Sequence, residues 1–350
     1  MFERSQSFEF LRAFGCILVI IEHIFLPGWI IEYLHFQWCF SLGGLGIGIF
    51  TFVSGYLIAR SLETKSLREY AASRFWRVYP AYLCVLFIAL GIFLVFGYSR
   101  LQPTEEASLR GVLAQALFVR DIYNMYNPLI SADWTLLYEV QFYVVAGIAW
   151  VAFRPSRKTL ILIGVYMAIT ALIYVYLWSL SLQYLHGQAA MQRTGGSLFC
   201  FMGMLYYLHR RRELPYGWVV IAAVWTLGTV AFSQFAGEFH YEYLQVSVTQ
   251  LYGMVLAAAF IRWDYTGKFA RVFGFIASIS FPLYLLHQTF GTVGFSQITG
   301  TDIAFGWFWD RMLTFVLIVV PLSVAIHKLV EKPAMGWGRR STPSMVPQSA

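Results

Sequence analysis

Charge is the scarcest property of this 350-residue sequence. Charged residues make up 12% of the chain and hydrophobic residues 59%, and the mean hydropathy is +0.61. Soluble domains usually carry about 25% charged residues. The chain also has only four cysteines, and their positions match no metal-binding or redox spacing. These two shortages argue against a soluble enzyme and against a cysteine-based metal or disulfide scaffold. They predict an integral membrane protein.

Long apolar segments recur along the whole chain, and a membrane-spanning helix needs roughly 20 of these residues in a row. The fold predicted is therefore all-α, a bundle of about ten transmembrane helices. Residues 1–335 form a single transmembrane domain, and residues 336–350 are expected to be a disordered cytoplasmic tail. The predicted spans cover residues 10–31, 42–60, 78–98, 134–153, 159–178, 195–209, 216–235, 244–262, 272–293 and 311–330.

The basic residues show on which side each connecting segment lies. If both termini are cytoplasmic, nineteen of the 25 lysines and arginines fall on the cytoplasmic side and five on the opposite side, with Arg12 at the inner boundary. Cytoplasmic loops characteristically carry this excess. The formal net charge of +7 therefore reflects membrane orientation, and no nucleic-acid partner is expected. The longest outer loop contains the amphipathic run ASLRGVLAQALFVRD, which is typical of a surface helix.

Three predicted spans carry titratable residues at a similar depth. By helical rise, His23 lies roughly 18 Å and His287 roughly 22 Å from the inner ends of their spans, and Glu139 lies about 7 Å below the outer edge. Ionisable groups inside a membrane are costly and usually mark a functional site. A purely structural set of hydrogen-bonded partners is the alternative.

Glu22 and Ser54 also lie in predicted spans and need separate interpretation. Glu22 is adjacent to His23, but adjacent residues do not share a helix face, so Glu139 is at least as plausible a partner for that histidine. Ser54 as a nucleophile needs a base within reach, and His23 is estimated to lie about 9 Å deeper along the bundle. A hydrogen bond from Ser54 to its own helix backbone is the simpler expectation.

Arginines form a second group near the inner boundary. Arg74 and Arg77 are three residues apart and therefore share a helix face, and Arg12 and Arg60 fall at the same level. A guanidinium group matches phosphate bidentately, so these four residues are candidates for binding a phosphorylated ligand. Anchoring by the positive-inside rule is the alternative. Gly44 and Gly48, at the spacing of closely packed membrane helices, predict tight helix contact.

At these residues the sequence resembles the acyltransferase-3 family of multi-spanning membrane O-acyltransferases. The resemblance covers nearly the whole chain, and its motifs occur in family order. They are LRAFGCILVIIEH with Arg12 and His23, IFTFVSGYLI with Ser54, RFWRVYP with Arg74 and Arg77, WTLLYEVQFY with Trp134, Glu139 and Tyr143, SFPLYLLH with Tyr284 and His287, and EKP with Glu331. In two respects the chain departs from relatives. Gly48 stands where many have an acidic residue, and no hydrolase-like domain is expected after the last span.

The resemblance implies an activity and a set of roles. The donor would be an acyl-CoA, most often acetyl-CoA, acting as co-substrate with no permanently bound cofactor. The acceptor would be a glycan or lipid-linked sugar at a bacterial inner membrane. His23 would act as general base, Glu139 would orient it, and His287 would stabilise the oxyanion or line the acceptor path; a covalent acyl-histidine relay stays open. The four arginines would hold the nucleotide phosphates.

A transporter or flippase is the competing class, because it too places charges inside many spans. Transporters are often built from internal repeats, and the sequence has no such repeat. The clustering of charges above an arginine-rich inner rim favours the acyltransferase.

Overall fold

The computed structural model of the protein describes residues 6–38, 40–96, 108–120, 128–153, 187–211, 215, 241–263, 267–291, 295–296 and 306–340. Within these ranges the chain is helical and contains no β-strand. Five helices are long and apolar enough to cross a membrane: Leu42–Thr64, Leu67–Leu94, Ser131–Val151, Ala270–Thr289 and Trp307–Arg340. The prediction of an all-α integral membrane protein is confirmed. The number of ten spans and the location of the termini stay predictions, since the spans at 159–178 and 216–235 lie outside the described residues.

The helices of the described ranges follow in chain order. They are α1 (Gln6–Ile20), α2 (Gly28–Trp38), α3 (Leu42–Thr64), α4 (Leu67–Phe96), α5 (Leu109–Ala116), α6 (Trp134–Phe153), α7 (Gly187–Arg210), α8 (Tyr241–Trp263), α9 (Ala270–Thr289) and α10 (Trp307–Arg340). Part of the amphipathic run forms helix α5, which confirms the predicted helix, while its position along an outer membrane surface stays a prediction. The start of α5 is capped by the Ser108 hydroxyl, which accepts a hydrogen bond from the Gly111 N–H at 3.1 Å.

Several predicted boundaries were wrong. The first span does not continue to residue 31. Helix α1 passes into a π-helical turn at Ile21–Phe25, and the helix ends before Pro27. Proline cannot continue a helix through its own N–H, and it disfavours helical geometry in the residue before it. The third span begins at Leu67 rather than 78. The sixth predicted span, residues 195–209, lies within the 24-residue helix α7 and stays a prediction, because α7 is not one of the five helices that are long and apolar enough to cross a membrane.

The predicted disordered tail begins too early. Helix α10 continues to Arg340, so the boundary at residue 335 falls inside it. The reason is packing: Gly338 lies against the Trp76 side chain of α4, and the Trp337 ring centroid is 6.1 Å from that of Trp76. Residues 341–350 lie outside the described part of the chain.

Glycine residues allow the backbone of α3 to contact the backbones of three neighbouring helices. A Cβ at Gly48 would collide with the backbone of Gln250 on α8, and one at Gly55 would collide with the backbone of Cys200 on α7. Gly46 lies in the same way against Gly15 of α1. The close packing predicted for Gly48 is confirmed. Small residues let membrane helices approach closely enough for extensive van der Waals contact, and these contacts fix the rotation of α3.

Candidate functional site

A cavity lies between α1, α3, α4, α6 and α9. It contains about 860 Å³ of space that no atom fills, part of it continuous with the exterior. Its polar and charged lining residues are Arg12, Thr51, Ser54, Arg74, Arg77, Thr135, Tyr138, Glu139, Tyr143, Ser280 and Tyr284. We call it the arginine cavity. It brings together seven of the residues predicted from the sequence, which come from five different helices.

Positive charge exceeds negative charge in this cavity. Three arginines and one glutamate line it, a formal excess of two positive charges. The Nε of Arg74 is buried and has no hydrogen-bond partner among the described residues, while its guanidinium carbon lies 5.9 Å from the Tyr143 ring centroid. Buried charge is stable only when it is paired. The surplus of positive charge in the cavity therefore suits an anionic ligand.

Glu139 is held by two hydroxyl groups rather than by a histidine. Ser54 on α3 and Tyr143, one turn along α6, both donate short hydrogen bonds to the same oxygen, Glu139 Oε1. The expected pairing of Glu139 with His23 is therefore not what the structure shows, nor does Ser54 bond to its own backbone. Because Gly55 fixes α3 against α7, the neighbouring Ser54 is turned toward α6 and its hydroxyl reaches the carboxylate.

Arg12 is fixed to α9. Its Nη2 donates to the Ser280 hydroxyl at 3.0 Å, and the thiol of Cys16, one turn further along α1, lies 3.8 Å from the Ser280 carbonyl oxygen. Helices α1 and α9 run side by side in the same direction, because Phe10 packs against Phe273 near their starts and His23 packs against His287 near their ends. Ser280 was not predicted as a site residue, although its position four residues before Tyr284 puts both on one face of α9.

The two predicted histidines meet at the far end of this same helix pair. His23 and His287 lie edge to face, with ring centroids 5.3 Å apart. The Nδ1 of His23 is 2.9 Å from the Val19 carbonyl oxygen, and the Nδ1 of His287 is hydrogen-bonded to the Tyr284 carbonyl oxygen. A carbonyl oxygen can only accept, so each neutral ring carries its proton on Nδ1 and leaves Nε2 as an acceptor. We call these two residues the histidine pair.

Nε2 of His287 is buried and lacks a hydrogen-bond partner in the described part of the chain. His287 is 1% exposed, so no bulk water satisfies that atom. A buried acceptor without a partner is unfavourable unless a ligand supplies the donor. In this tautomer His287 cannot donate to an oxyanion, and the arrangement favours the other predicted role, lining the path of an acceptor hydroxyl.

A π-helical turn presents both Glu22 and His23. The wider turn at Ile21–Phe25 changes the faces on which these residues lie, and such irregularities are frequent at functional sites. Glu22 accepts hydrogen bonds from the Ser41 hydroxyl at 2.9 and 3.1 Å and lies 3.9 Å from His35 Nε2. Glu22 therefore braces the start of α3 beside His23 rather than pairing with that histidine.

Tyr284 connects the arginine cavity with the histidine pair. It lines the cavity, and its ring centroid lies 5.2 Å from that of His287. Tyr284 also belongs to a small apolar cluster with Val19, Ile47 and Ala132, against which Trp134 packs. Ser280 and His287 are seven residues apart on α9, which corresponds to about 10 Å along the axis.

The remaining predicted residues lie outside the cavity lining. Arg60 is near the end of α3, and it does not line the cavity with the other three arginines. Glu331 is 3% exposed and accepts from His327 Nδ1 at 2.8 Å, close enough to Arg12 to interact with its charge. The structure therefore separates Arg60, which depth had grouped with the cavity arginines, and it leaves Glu331, named only for the EKP motif, outside the lining.

An ion pair that sequence reasoning missed positions the start of α6. Arg120 contacts Asp133 through Nε–Oδ1 at 2.9 Å and Nη2–Oδ1 at 2.8 Å, and Asp133 is 1% exposed. The backbone N–H of Leu129 donates to the Gln115 side-chain oxygen at 2.7 Å. These contacts tie the outer loop to the helix that carries Glu139. An arginine and an aspartate thirteen residues apart in a loop gave no sequence signal.

No group of three or more metal-binding side chains occurs among the described residues. The arrangement offers anion binding at one end and two hydrogen-bond acceptors at the other. Such an arrangement suits a site that binds an anionic molecule next to groups that can accept a proton.

Comparison with known proteins agrees with this chemistry. The sequence profile of the Acyltransferase domain family Acyl_transf_3 matches residues 5–328, which is nearly the whole chain. The protein belongs to the acyltransferase-3 family. The arginine cavity and the histidine pair are thus features of an acyltransferase-3 chain, and α1 and α9 contribute to the cavity while the histidine pair lies at the far ends of these two helices.

Individual relatives are more distant. The chain is 30% identical over 167 residues to a protein named peptidoglycan O-acetyltransferase OatA of Listeria monocytogenes, which is 42% of this chain and 24% of that protein. It is 24% identical over 182 residues to the O-acetyl transferase of Shigella phage Sf6, 48% of this chain and 52% of that one. The aligned region thus spans about a quarter to half of the length of these curated relatives. No solved structure matches the chain.

Proposed function

We propose that this protein is a membrane O-acyltransferase that moves an acetyl group from cytoplasmic acetyl-CoA to a hydroxyl of a surface or exported glycan. The observation that carries the proposal is the contact of Tyr284, which lines the arginine cavity, with His287 of the histidine pair. Family membership and two relatives named as O-acetyltransferases support the reaction type. We also propose a bacterial inner membrane as its location.

The donor phosphates occupy the positively charged end in this proposal. Arg74 and Arg77 face the cavity from one side of α4 and bind the diphosphate of acetyl-CoA, to which guanidinium groups are suited. Arg12, whose side chain is oriented by its hydrogen bond to Ser280, binds the deeper part of the donor. Glu139 stays bound to Ser54 and Tyr143, so its negative charge keeps the three arginines together when no donor is present.

The acetyl group reaches the histidine pair along Tyr284. His23 Nε2 takes the proton of the acceptor hydroxyl as its oxygen attacks the thioester carbonyl carbon. The carbon–sulfur bond then breaks, and the imidazolium returns its proton to the departing CoA thiolate. The Val19 carbonyl oxygen, which accepts from Nδ1 at 2.9 Å, fixes the reactive tautomer, a task expected of Glu139 from the sequence. His287 Nε2 accepts from the incoming acceptor and orients it.

The test is acyl transfer by purified protein in lipid vesicles supplied with radiolabelled acetyl-CoA and a glycan acceptor. Label in ester linkage to the glycan, lost in His23→Ala and retained in the matched variant His209→Ala, is the expected result. A folded protein that neither binds acetyl-CoA nor transfers label would overturn the proposal. Movement of an unmodified glycan across the vesicle membrane would favour the transporter class instead.

A further inference from the structure

Two cations lie beside the arginine cavity without lining it. Lys65 is the residue at which α3 ends, in the short connection to α4. Arg339 is in the last turn of α10, where the preceding Gly338 packs so closely against Trp76 of α4 that an added Cβ would lie 2.8 Å from the indole ring. Trp76 directly precedes Arg77. The end of α10 therefore reaches the part of α4 that carries the cavity arginines.

Positive charge accumulates around Lys65. Desolvation by neighbouring atoms, followed by the positive charges of Arg74, Arg339 and Arg77, holds the pKa of Lys65 below its ordinary value. Glu69 opposes this effect, but its carboxylate is already bonded to the Ser66 N–H and hydroxyl at 2.8 Å each.

The contact of Gly338 with Trp76 brings Arg339 to the part of α4 that carries Arg74 and Arg77. Lys65 lies in the connection that leads into α4, so four cations are gathered near the edge of the cavity. Lys65 and Arg339 are both exposed, and two of the four, Arg74 and Arg77, extend into the cavity itself. Clusters of one sign concentrate counter-ions of the other sign. A second anionic group, attached to the ligand of the cavity but outside it, would relieve the repulsion at Lys65.

We propose that Lys65 and Arg339 form a separate phosphate subsite, which binds the 3′-phosphate of the acyl-CoA donor. This inference rests on the proposed function. The 3′-phosphate is a monoester that stands apart from the diphosphate leading to pantetheine. The cavity arginines bind the diphosphate, and the subsite at the end of α10 distinguishes acetyl-CoA from a donor that lacks the 3′-phosphate.

A comparison of two donors tests the subsite. Initial rates with acetyl-CoA and with acetyl-3′-dephospho-CoA are measured in vesicles of zwitterionic lipid, for the wild type, Lys65→Ala, Arg339→Ala and the double variant. We expect the wild type to show a KM about 10- to 100-fold lower for acetyl-CoA, the scale of a charge-assisted contact. The double variant loses this preference, with kcat unchanged. Arg340→Ala, which removes an adjacent exposed charge from the same helix, keeps it.

The possible results distinguish failure of the phosphate subsite from failure of the proposed function. Equal KM values for the two donors in the wild type, or a preference retained by the double variant, overturn the subsite and leave the proposed function intact. No transfer from either donor overturns the proposed function and the subsite with it. Lipid phosphates share the same chemistry, so the series is repeated with about 30% anionic lipid, which gives the vesicles a negative surface potential. Variants that respond to lipid charge but not to the donor assign the subsite to a lipid headgroup and overturn its assignment to the donor.

Discussion

The arginine cavity and the histidine pair occupy the two ends of one helix pair, and they handle polar groups in opposite ways. The cavity is lined by three arginines and one glutamate, and space remains between them. At the other end, both oxygens of Glu22 are hydrogen-bonded by Ser41, and each imidazole is anchored to a backbone carbonyl oxygen. One end is unbalanced in charge, and the other is held by hydrogen bonds but leaves acceptor atoms available. This difference predicts that the first binds and the second reacts.

The strongest test of this division is His23→Ala. We expect acyl transfer to fall about 10²- to 10⁴-fold, the usual contribution of general acid–base catalysis, while acetyl-CoA binding changes little. Transfer assays and equilibrium binding of radiolabelled acetyl-CoA on the same preparation measure both. A variant that lost donor binding as well would show that the two ends do not act separately.

Arg77→Ala should give the reverse pattern. Loss of one guanidinium contact to phosphate is expected to raise the KM for acetyl-CoA about 10- to 100-fold, with a smaller effect on kcat. Arg271→Ala serves as the matched control, because Arg271 is an exposed arginine of α9 that does not line the cavity. An unchanged KM in Arg77→Ala would remove this residue from the donor site.

Two substitutions at Glu139 separate its structural role from its charge. Glu139→Ala leaves the hydroxyls of Ser54 and Tyr143 without their acceptor, and we expect a loss of about 1–3 kcal/mol in the free energy of unfolding. Glu139→Gln keeps an acceptor and should be less destabilised. Unfolding in detergent, followed by the fluorescence of buried aromatic residues, compares them. Equal stability of the two variants would show that the hydrogen bonds contribute little.

The smallest expected effect is that of Gly43→Ala. The added Cβ would lie 2.7 Å from Glu22 Oε1 and 3.3 Å from His23 Cε1, so the histidine end must shift by a few tenths of an ångström. We expect transfer to fall several-fold, since misplacement by about 1 Å can cost a hundredfold, with the KM for acetyl-CoA unchanged. In Gly91→Ala the new methyl group meets no atom within 4 Å, and activity should stay at the wild-type level.

The sequence allowed the all-α membrane fold and seven of the residues that line the cavity to be predicted, because hydropathy and motif order are one-dimensional signals. It placed His23, His287 and Glu139 in one layer, and two of the three do meet. It could not predict that Glu139 turns to Ser54, because helical rise gives the depth of a residue and not the direction of its side chain. Arg60 and Arg12 were grouped for the same reason, and of these two only Arg12 lines the cavity.

The π-helical turn illustrates a second limit. Eleven residues of regular α-helix return almost to the starting face, which places Arg12 and His23 on one side of the helix. No sequence rule predicts that the helix widens into a π-helical turn over the last five residues of the segment. The pairing of Glu22 with Ser41 depends on that widening and on the cap of α3, where the same hydroxyl accepts from Gly44 N–H at 2.8 Å. Such local geometry is decided by tertiary contacts.

The backbone contacts of α3 have a consequence for motion during turnover. Gly46, Gly48 and Gly55 bring α1, α8 and α7 so close to α3 that sliding any of them would drive main chain into main chain. These four helices form a fixed frame, and Ser54 belongs to it. By contrast, the nearest atom to a methyl group at Gly147 of α6 is a Tyr70 side-chain carbon at 3.4 Å, an ordinary side-chain contact with α4. Under the proposed function, α4 can shift more readily than this frame when a donor enters or leaves. Arg74 and Arg77 would then move with α4, while Arg12 on α1 stays in the frame.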